Sequence, residues 1–215
     1  MPIVKIVNIE TPTHGRILIE DAADCVSHRL LAGCHGYGQA ADTMLDELRR
    51  IAPSGWRLVS VQGLHRFYNR TQDSVVASWM TRQDRESALA DNIEYMTRAV
   101  AAAGGDTAAT IVFLGFSQGA SMAARAATRG AKRANGLILL GGDIPPDVRD
   151  DASAVIPPVL IGVGSQDSWY NGARVDADIA FLKARSVPHE VVRYDGGHEF
   201  TDEFRRAAAG WLQRL

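Results

Sequence analysis

Apolar and polar positions alternate between two rhythms along this chain. Short unbroken apolar runs recur from residue 29 onward: RLLAGC (29–34), WRLVSVQG (56–63), TIVFLGF (110–116), GLILLGG (136–142) and PVLIGVG (158–164). HEVVRYDGG (189–197) adds a sixth strand with a loop. Between them apolar residues fall at helical spacing. Ala41, Met44, Leu45 and Leu48 mark one face between Gln39 and Ile51, and Pro53-Ser54-Gly55 closes that helix. Further helices are predicted over 87–103, from about Gln118, over 176–185 and over 203–215. Several strands lack polar alternation, the mark of a parallel sheet covered on both faces. At the N-terminus, VKIVNI (4–9) and RILIED (16–21) flank Thr11-Pro12-Thr13-His14-Gly15, which predicts an antiparallel hairpin. Residues 64–86 show weak periodicity and read as a long loop rich in aromatic and arginine side chains.

The expected fold class is therefore α/β, with a mostly parallel central sheet, helices on both faces and an N-terminal antiparallel hairpin. No internal repeat, linker or long lid insertion interrupts the pattern, so residues 1–215 are expected to form a single domain. Apolar residues at 46% and charged residues at 22% fit a soluble globular chain able to bury a core without disulfides or metal. A net charge of -2 gives no electrostatic case for nucleic acid or an anionic membrane. The basic cluster Arg129, Lys132 and Arg133 reads as a solvated helix end. Two cysteines, Cys25 and Cys34, lack metal-site spacing, and a reducing, cytoplasmic compartment is the simpler expectation. The N-terminus lacks a signal-peptide pattern, and no apolar window approaches the ~20 residues of a membrane span. No cofactor or metal is expected: Gly33, Gly36 and Gly38 miss the dinucleotide spacing, and no Gly-Lys-Ser/Thr occurs. The oligomeric state is left open.

In open α/β sheets ligands sit beyond the carboxyl ends of the strands, which turns attention to strand-end loops. Gly115-Phe116-Ser117-Gln118-Gly119 lies directly after an apolar strand and before an alanine-rich helix. G-x-S-x-G alone is a weak signal, but that context is the one a nucleophile elbow requires. The plain alternative is a strand-to-helix turn with a capping serine. A serine nucleophile needs a base. Of six histidines, His198 stands on a glycine turn after the last strand, which makes it the candidate. The orienting acid should precede it in chain order. Asp167, after PVLIGVGSQ, is favoured, with Asp143 as the second candidate; Asp195 reads as a turn former. Backbone N–H groups of Tyr37, in His35-Gly36-Tyr37-Gly38, and of Gln118 are the candidate oxyanion donors. Phe67, Tyr68, Trp79, Trp169 and Tyr170 are candidates for a substrate-binding wall, or else they pack their loops down.

These residues resemble the α/β-hydrolase superfamily, and within it the phospholipase/carboxylesterase family of small esterases and acyl-protein thioesterases. The resemblance rests on CHGYGQ (34–39), ASW (77–79), GFSQGA (115–120) and GGHEF (196–200). It implies an α/β-hydrolase fold without a large lid, the triad Ser117, Asp167 and His198, and oxyanion donors at Tyr37 and Gln118. It further implies a serine carboxylesterase acting on small to medium ester molecules, with thioesterase or lysophospholipase activity as an alternative. The loop after the acid, Ser168-Trp169-Tyr170-Asn171, departs from the family pattern and bears on substrate rather than chemistry. Two competing readings are a Cys34 nucleophile, as in dienelactone hydrolases, and a non-catalytic binding protein on the same fold. The first puts the thiol on the strand before the His-Gly turn rather than at the elbow.

Overall fold

The computed structural model describes residues 3–21 and 28–215; Cys25 lies outside them. A seven-stranded sheet organises the chain, in the order β1-β3-β2-β6-β7-β8-β9. Its strands are β1 (Ile17–Glu20), β2 (Arg29–Cys34), β3 (Arg57–Val61), β6 (Thr110–Phe116), β7 (Gly136–Leu140), β8 (Val159–Gly164) and β9 (His189–Tyr194). All neighbours are parallel except β1, which runs antiparallel to β3. Successive strand residues feed opposite faces. Leu30, Ala32 and Cys34 pack toward α2 (Arg85–Ala102) and α3 (Gln118–Arg129), whose Met96, Ala99, Ala120 and Ala123 share their cluster. Leu31, Val112 and Leu114 pack toward α1 (Ala41–Ile51) and α6 (Asp202–Leu212), represented by Met44, Leu48, Phe204 and Trp211. The remaining helices, α4 (Pro146–Arg149) and α5 (Gly172–Ala184), contribute Val148, Val175 and Leu182 to the first face.

The sheet reverses its direction of growth between β2 and β6. The chain leaves β2 toward β3 on one side, then crosses back to lay β6 against the other side. Cys34 pairs with Gly115 there, so the His35–Gly38 turn and the Ser117 turn emerge side by side. Such a switch point opens the crevice in which doubly wound sheets bind ligands.

Two features differ from expectation. The hairpin does not form at the N-terminus: residues 4–9 are exposed and outside any strand, and β1 instead pairs with β3 in the register Ile17↔Val61. Ile17 packs against the core there, and pairing with 4–9 would bury no comparable surface. The antiparallel hairpin lies within 64–86, as β4 (His65–Tyr68) and β5 (Val75–Ser78). Its signal was hidden because every side chain of β4 is exposed, so no apolar alternation marks it. Asn69, hydrogen bonded to Asp73 at 2.6 Å, closes its turn.

Glycine fixes the spacing between sheet and α3. A Cβ on Gly119 would lie 2.0 Å from the Cys34 carbonyl oxygen, and one on Gly115 would lie 2.2 Å from the Gly119 carbonyl oxygen. Both neighbours are backbone and cannot step aside without moving β2 or α3. Gly119→Ala should therefore destabilise the fold by about 3 kcal/mol, at the upper end of overpacking penalties, as measured by urea denaturation. A loss below about 1 kcal/mol would show that α3 can lift off the sheet freely.

Candidate active site

Ser117 is the single residue between β6 and α3. Its backbone takes φ 55°, ψ -119°, outside the wells open to L-residues. Its N–H donates to the Leu140 carbonyl at 2.9 Å, which ties the turn to β7. Gly142 passes close behind: a Cβ there would lie 2.4 Å from the Ser117 carbonyl oxygen. The serine is half-buried, and its hydroxyl takes no hydrogen bond among the described residues. No side-chain cap bond forms at this helix start, so the plain helix-cap alternative has no support from geometry.

His198 arrives from the loop after β9. That loop is stitched to the one after β8: Ser165 N–H donates to the Tyr194 carbonyl and Gln166 N–H to the Gly196 carbonyl, both at 2.9 Å. Gly164 permits this approach, since a Cβ there would lie 2.3 Å from the Gly197 carbonyl oxygen. Asp195 accepts from Ser165 Oγ and Gln166 Nε2, and so shapes the turn. His198 Nδ1 lies 2.7 Å from Asp167 Oδ2. With the carboxylate as acceptor, the proton sits on Nδ1 and Nε2 keeps its lone pair. The ring packs against Phe116, the residue before the serine, at 4.9 Å between centroids. A Cβ on Gly141, next to the glycine that touches Ser117, would lie 2.9 Å from His198 Cε1. The structure thus gathers Ser117, His198 and Asp167 about the Gly141-Gly142 bend, while Asp143 makes no hydrogen bond or ion pair with His198.

Asp167 is held by more than the imidazole. Its Oδ1 accepts from the N–H groups of Trp169 at 2.8 Å and Tyr170 at 2.9 Å. Burial pushes its carboxyl up, but the Tyr170 amide, the His198 ring and the Trp169 amide outweigh that and leave it below the usual carboxylate range.

The oxyanion candidates stand on the adjoining turns after β2 and β6. Gly38 N–H donates to the Ala77 carbonyl and Ala77 N–H to the Gln39 carbonyl, each at 2.9 Å, so β5 pins the turn beyond Tyr37. Neither the Tyr37 nor the Gln118 amide donates to another described residue. The Gln118 side chain, unremarked in the sequence, accepts from the Trp79 N–H at 3.0 Å and donates to the Met80 carbonyl at 2.9 Å. It fastens the helix start to the segment after β5. His35 is fully buried: Nε2 accepts from the Gly63 N–H at 2.9 Å, which leaves Nδ1–H for the Gly36 carbonyl at 2.7 Å. Burial depresses its proton affinity, and both ring nitrogens are committed. Cys34 is fully buried, and burial pushes its thiol far above the usual range. That removes the thiolate a cysteine nucleophile would need.

The five aromatic candidates separate. Trp79 is buried, donates its indole N–H to the His35 carbonyl at 2.8 Å, and lines a cavity of about 320 Å³ with Met80, Gln118 and Met122. Tyr170 is buried and donates its hydroxyl to Asp178 at 2.7 Å. Phe67 and Tyr68 stand exposed on β4, with Phe67 5.6 Å from the Tyr37 ring, and Trp169 is exposed beside the acid loop. Among the described residues no group of three or more acidic, histidine or cysteine side chains is placed to hold a metal, and no helix is long and apolar enough to cross a membrane.

A parallel sheet with an elbow serine after its central strand and a histidine–aspartate pair from later strand-end loops defines an α/β-hydrolase. The sequence profile of the dienelactone hydrolase family matches residues 34–210, and the chain belongs to that family. No curated protein sequence matches the chain. Among solved structures, the esterase PE8 superposes with a TM-score of 0.76 at 20% identity, over 94% of this chain and all of that one. A carboxylesterase from Mesorhizobium loti gives 0.71 at 22% identity, over 94% of each chain. Zea mays acyl-protein thioesterase 2 gives 0.70 at 15% identity, over 94% of this chain and 99% of that one. These likenesses extend the fold expected from the motifs to nearly the whole chain.

Asp178 supplies a pH test of how the site loops are held. Fully buried, it accepts from Tyr170 on the acid loop, from Arg149 at 2.5 Å and from the Ile144 N–H beyond the glycine bend. Burial pushes its carboxyl up to about 6 despite those partners. The folded state therefore binds more protons than the unfolded state between the ordinary carboxylate range and pH 6, and its stability falls as pH rises through that window. Asp178→Asn lacks this slope. The stability of the native protein relative to that variant should drop by about 2 kcal/mol between pH 4 and pH 7, read by denaturant titration. A difference independent of pH would contradict the raised carboxyl.

Proposed function

We propose that the protein is a serine carboxylesterase that cleaves small to medium carboxylic esters through an acyl-enzyme. The observation that carries the reading is the positive-φ Ser117 turn, its hydroxyl without a partner among the described residues, set beside a histidine already oriented by a buried carboxylate. His198 Nε2 takes the serine proton as Oγ attacks the ester carbonyl. The tetrahedral oxyanion is received by the Tyr37 and Gln118 amides, the second standing at the positive end of α3. His198 then protonates the departing alcohol, the acyl group remains on Ser117, and the imidazole activates water to release the acid. Asp167 keeps the tautomer and balances the imidazolium, as the corresponding acid does in the serine triad. Because its carboxyl is held below the usual range, it stays ionised wherever His198 can act.

Burial of Cys34 supports serine over the thiol as nucleophile. The amides of the two oxyanion candidates donate to no described residue, which fits donors kept for a substrate oxygen.

A fluorophosphonate probe should label the protein, and Ser117→Ala should abolish labelling and cut kcat for 4-nitrophenyl acetate by about a thousandfold or more. Retained labelling in that variant would overturn the reading. His198→Ala should likewise cut kcat for 4-nitrophenyl acetate by about a thousandfold or more; an unchanged kcat would exclude His198 as the base.

A further inference from the structure

An oxyanion hole built from two elements works only if those elements keep their spacing. The Tyr37 amide sits in the turn after β2, and the Gln118 amide opens α3. A misplacement of about 1 Å can cost about a hundredfold in rate. Whatever holds the turn against the helix start therefore bears on turnover.

Trp79 follows β5 directly and touches both. Its backbone N–H donates to Gln118 Oε1 at 3.0 Å, and its indole N–H donates to the His35 carbonyl at 2.8 Å. His35 opens the turn that carries Tyr37, and its ring centroid lies 5.3 Å from that of Trp79. The far side of the turn is bonded to β5 as well, through Gly38, Gln39 and Ala77. The Tyr37 amide thus hangs between two attachments to β5 and the residue after it. The His35 carbonyl also borders α3: a Cβ on Gly119 would lie 2.5 Å from its oxygen. The indole N–H closes on the point where turn and helix meet.

Trp79 is in turn held from α2. Its carbonyl accepts from Asn92 Nδ2 at 2.8 Å, and both residues are fully buried. The same Nδ2 donates to the Ala88 carbonyl, one turn back on the helix, at 2.6 Å. Two carbonyls on Nδ2 fix the orientation of the amide, and Oδ1 is left without a partner among the described residues. An orphan oxygen in the core is unfavourable, and an apolar side chain would avoid it. The bond to Trp79 is what the amide provides there. Trp56 makes the contrast: it is equally buried, but its indole N–H has no partner among the described residues, so that ring packs without a hydrogen bond.

We propose that Trp79, anchored by Asn92, is a positioning residue of the oxyanion hole, setting the Tyr37 turn against the Gln118 helix start so that both amides meet one substrate oxygen. The role rests on the esterase reading. In it neither side chain touches the reacting atoms; each acts through the two amides.

Trp79→Phe keeps an aromatic ring and removes the indole N–H. It should lower kcat for 4-nitrophenyl acetate and for 4-nitrophenyl hexanoate by the same factor, about tenfold or more, with KM unchanged. Inhibition by pentyl trifluoromethyl ketone should weaken by that factor too. There Ser117 Oγ adds to the ketone carbonyl, the serine proton passes to His198, and the carbonyl oxygen becomes the oxyanion. Asn92→Ala, on a side chain that does not line the cavity beside the elbow, should give the same pattern in smaller measure, and it carries the test if Trp79→Phe does not fold. Trp56→Phe removes the same atoms from the core and breaks no hydrogen bond, so it should keep both kcat and inhibition. A change confined to KM or to acyl-chain preference would make Trp79 a pocket wall, and equal losses in Trp56→Phe would make it core packing; either overturns the role. A native protein that cleaves neither ester removes the esterase reading and this role with it. A native protein that cleaves both, with kcat and inhibition unmoved in Trp79→Phe and Asn92→Ala, removes the role alone.

Discussion

The backbone of Ser117 is forced into a conformation that L-residues avoid, and the rest of the site is arranged around that turn. A residue held in such a region costs of order 1–3 kcal/mol and persists only where its surroundings over-determine it. Here the surroundings are identifiable. β6 is buried along almost its whole length, α3 is drawn against the sheet by its small side chains, and glycines 115, 119 and 142 remove the atoms that would collide. The turn lifts the hydroxyl out of the core at the one place where the sheet changes its direction of growth. Without that close packing the chain would relax into an ordinary helix start and the serine would cap it.

Electrostatics then divides the site between two depths. Near the surface, the imidazole is left with a free lone pair because its other nitrogen is occupied by a carboxylate. That carboxylate remains charged because two backbone amides compensate for its burial. Deeper in, Asp178 ties the acid loop, through Tyr170, to the segment following the glycine bend, so both neighbours of His198 share one anchor. Beside the elbow, the buried Arg125 shares Asp147 with Arg85 and Arg129, which ties α3 to the loop after β7.

The strands and helices that surround the site were legible because their apolar runs are long and end on glycine. Ser117, Asp167 and His198 stand on the loops after β6, β8 and β9 of the parallel sheet, and the shared direction of those strands brings the loops to one edge. The hairpin was misplaced for a matching reason. Residues 4–9 have ideal strand composition but no surface to bury against, whereas His65–Tyr68 have a mixed composition and pair nonetheless. Tyr170 could not be told from a pocket residue, because its partner Asp178 lies on a helix that sequence spacing does not connect to it. The same holds for Arg125: its position on α3 is plain in the sequence, but its share in Asp147 depends on how that helix meets the loop after β7.

The central claim is that the strained serine forms a covalent bond to substrate. Acid quenching during turnover of 4-nitrophenyl acetate, followed by tryptic peptide mapping and fragmentation, tests it most directly. The account predicts an acetyl group on Ser117, in the peptide between Arg98 and Arg125. Acetyl found on Cys34 or another side chain, or full turnover with no modified peptide, would contradict it.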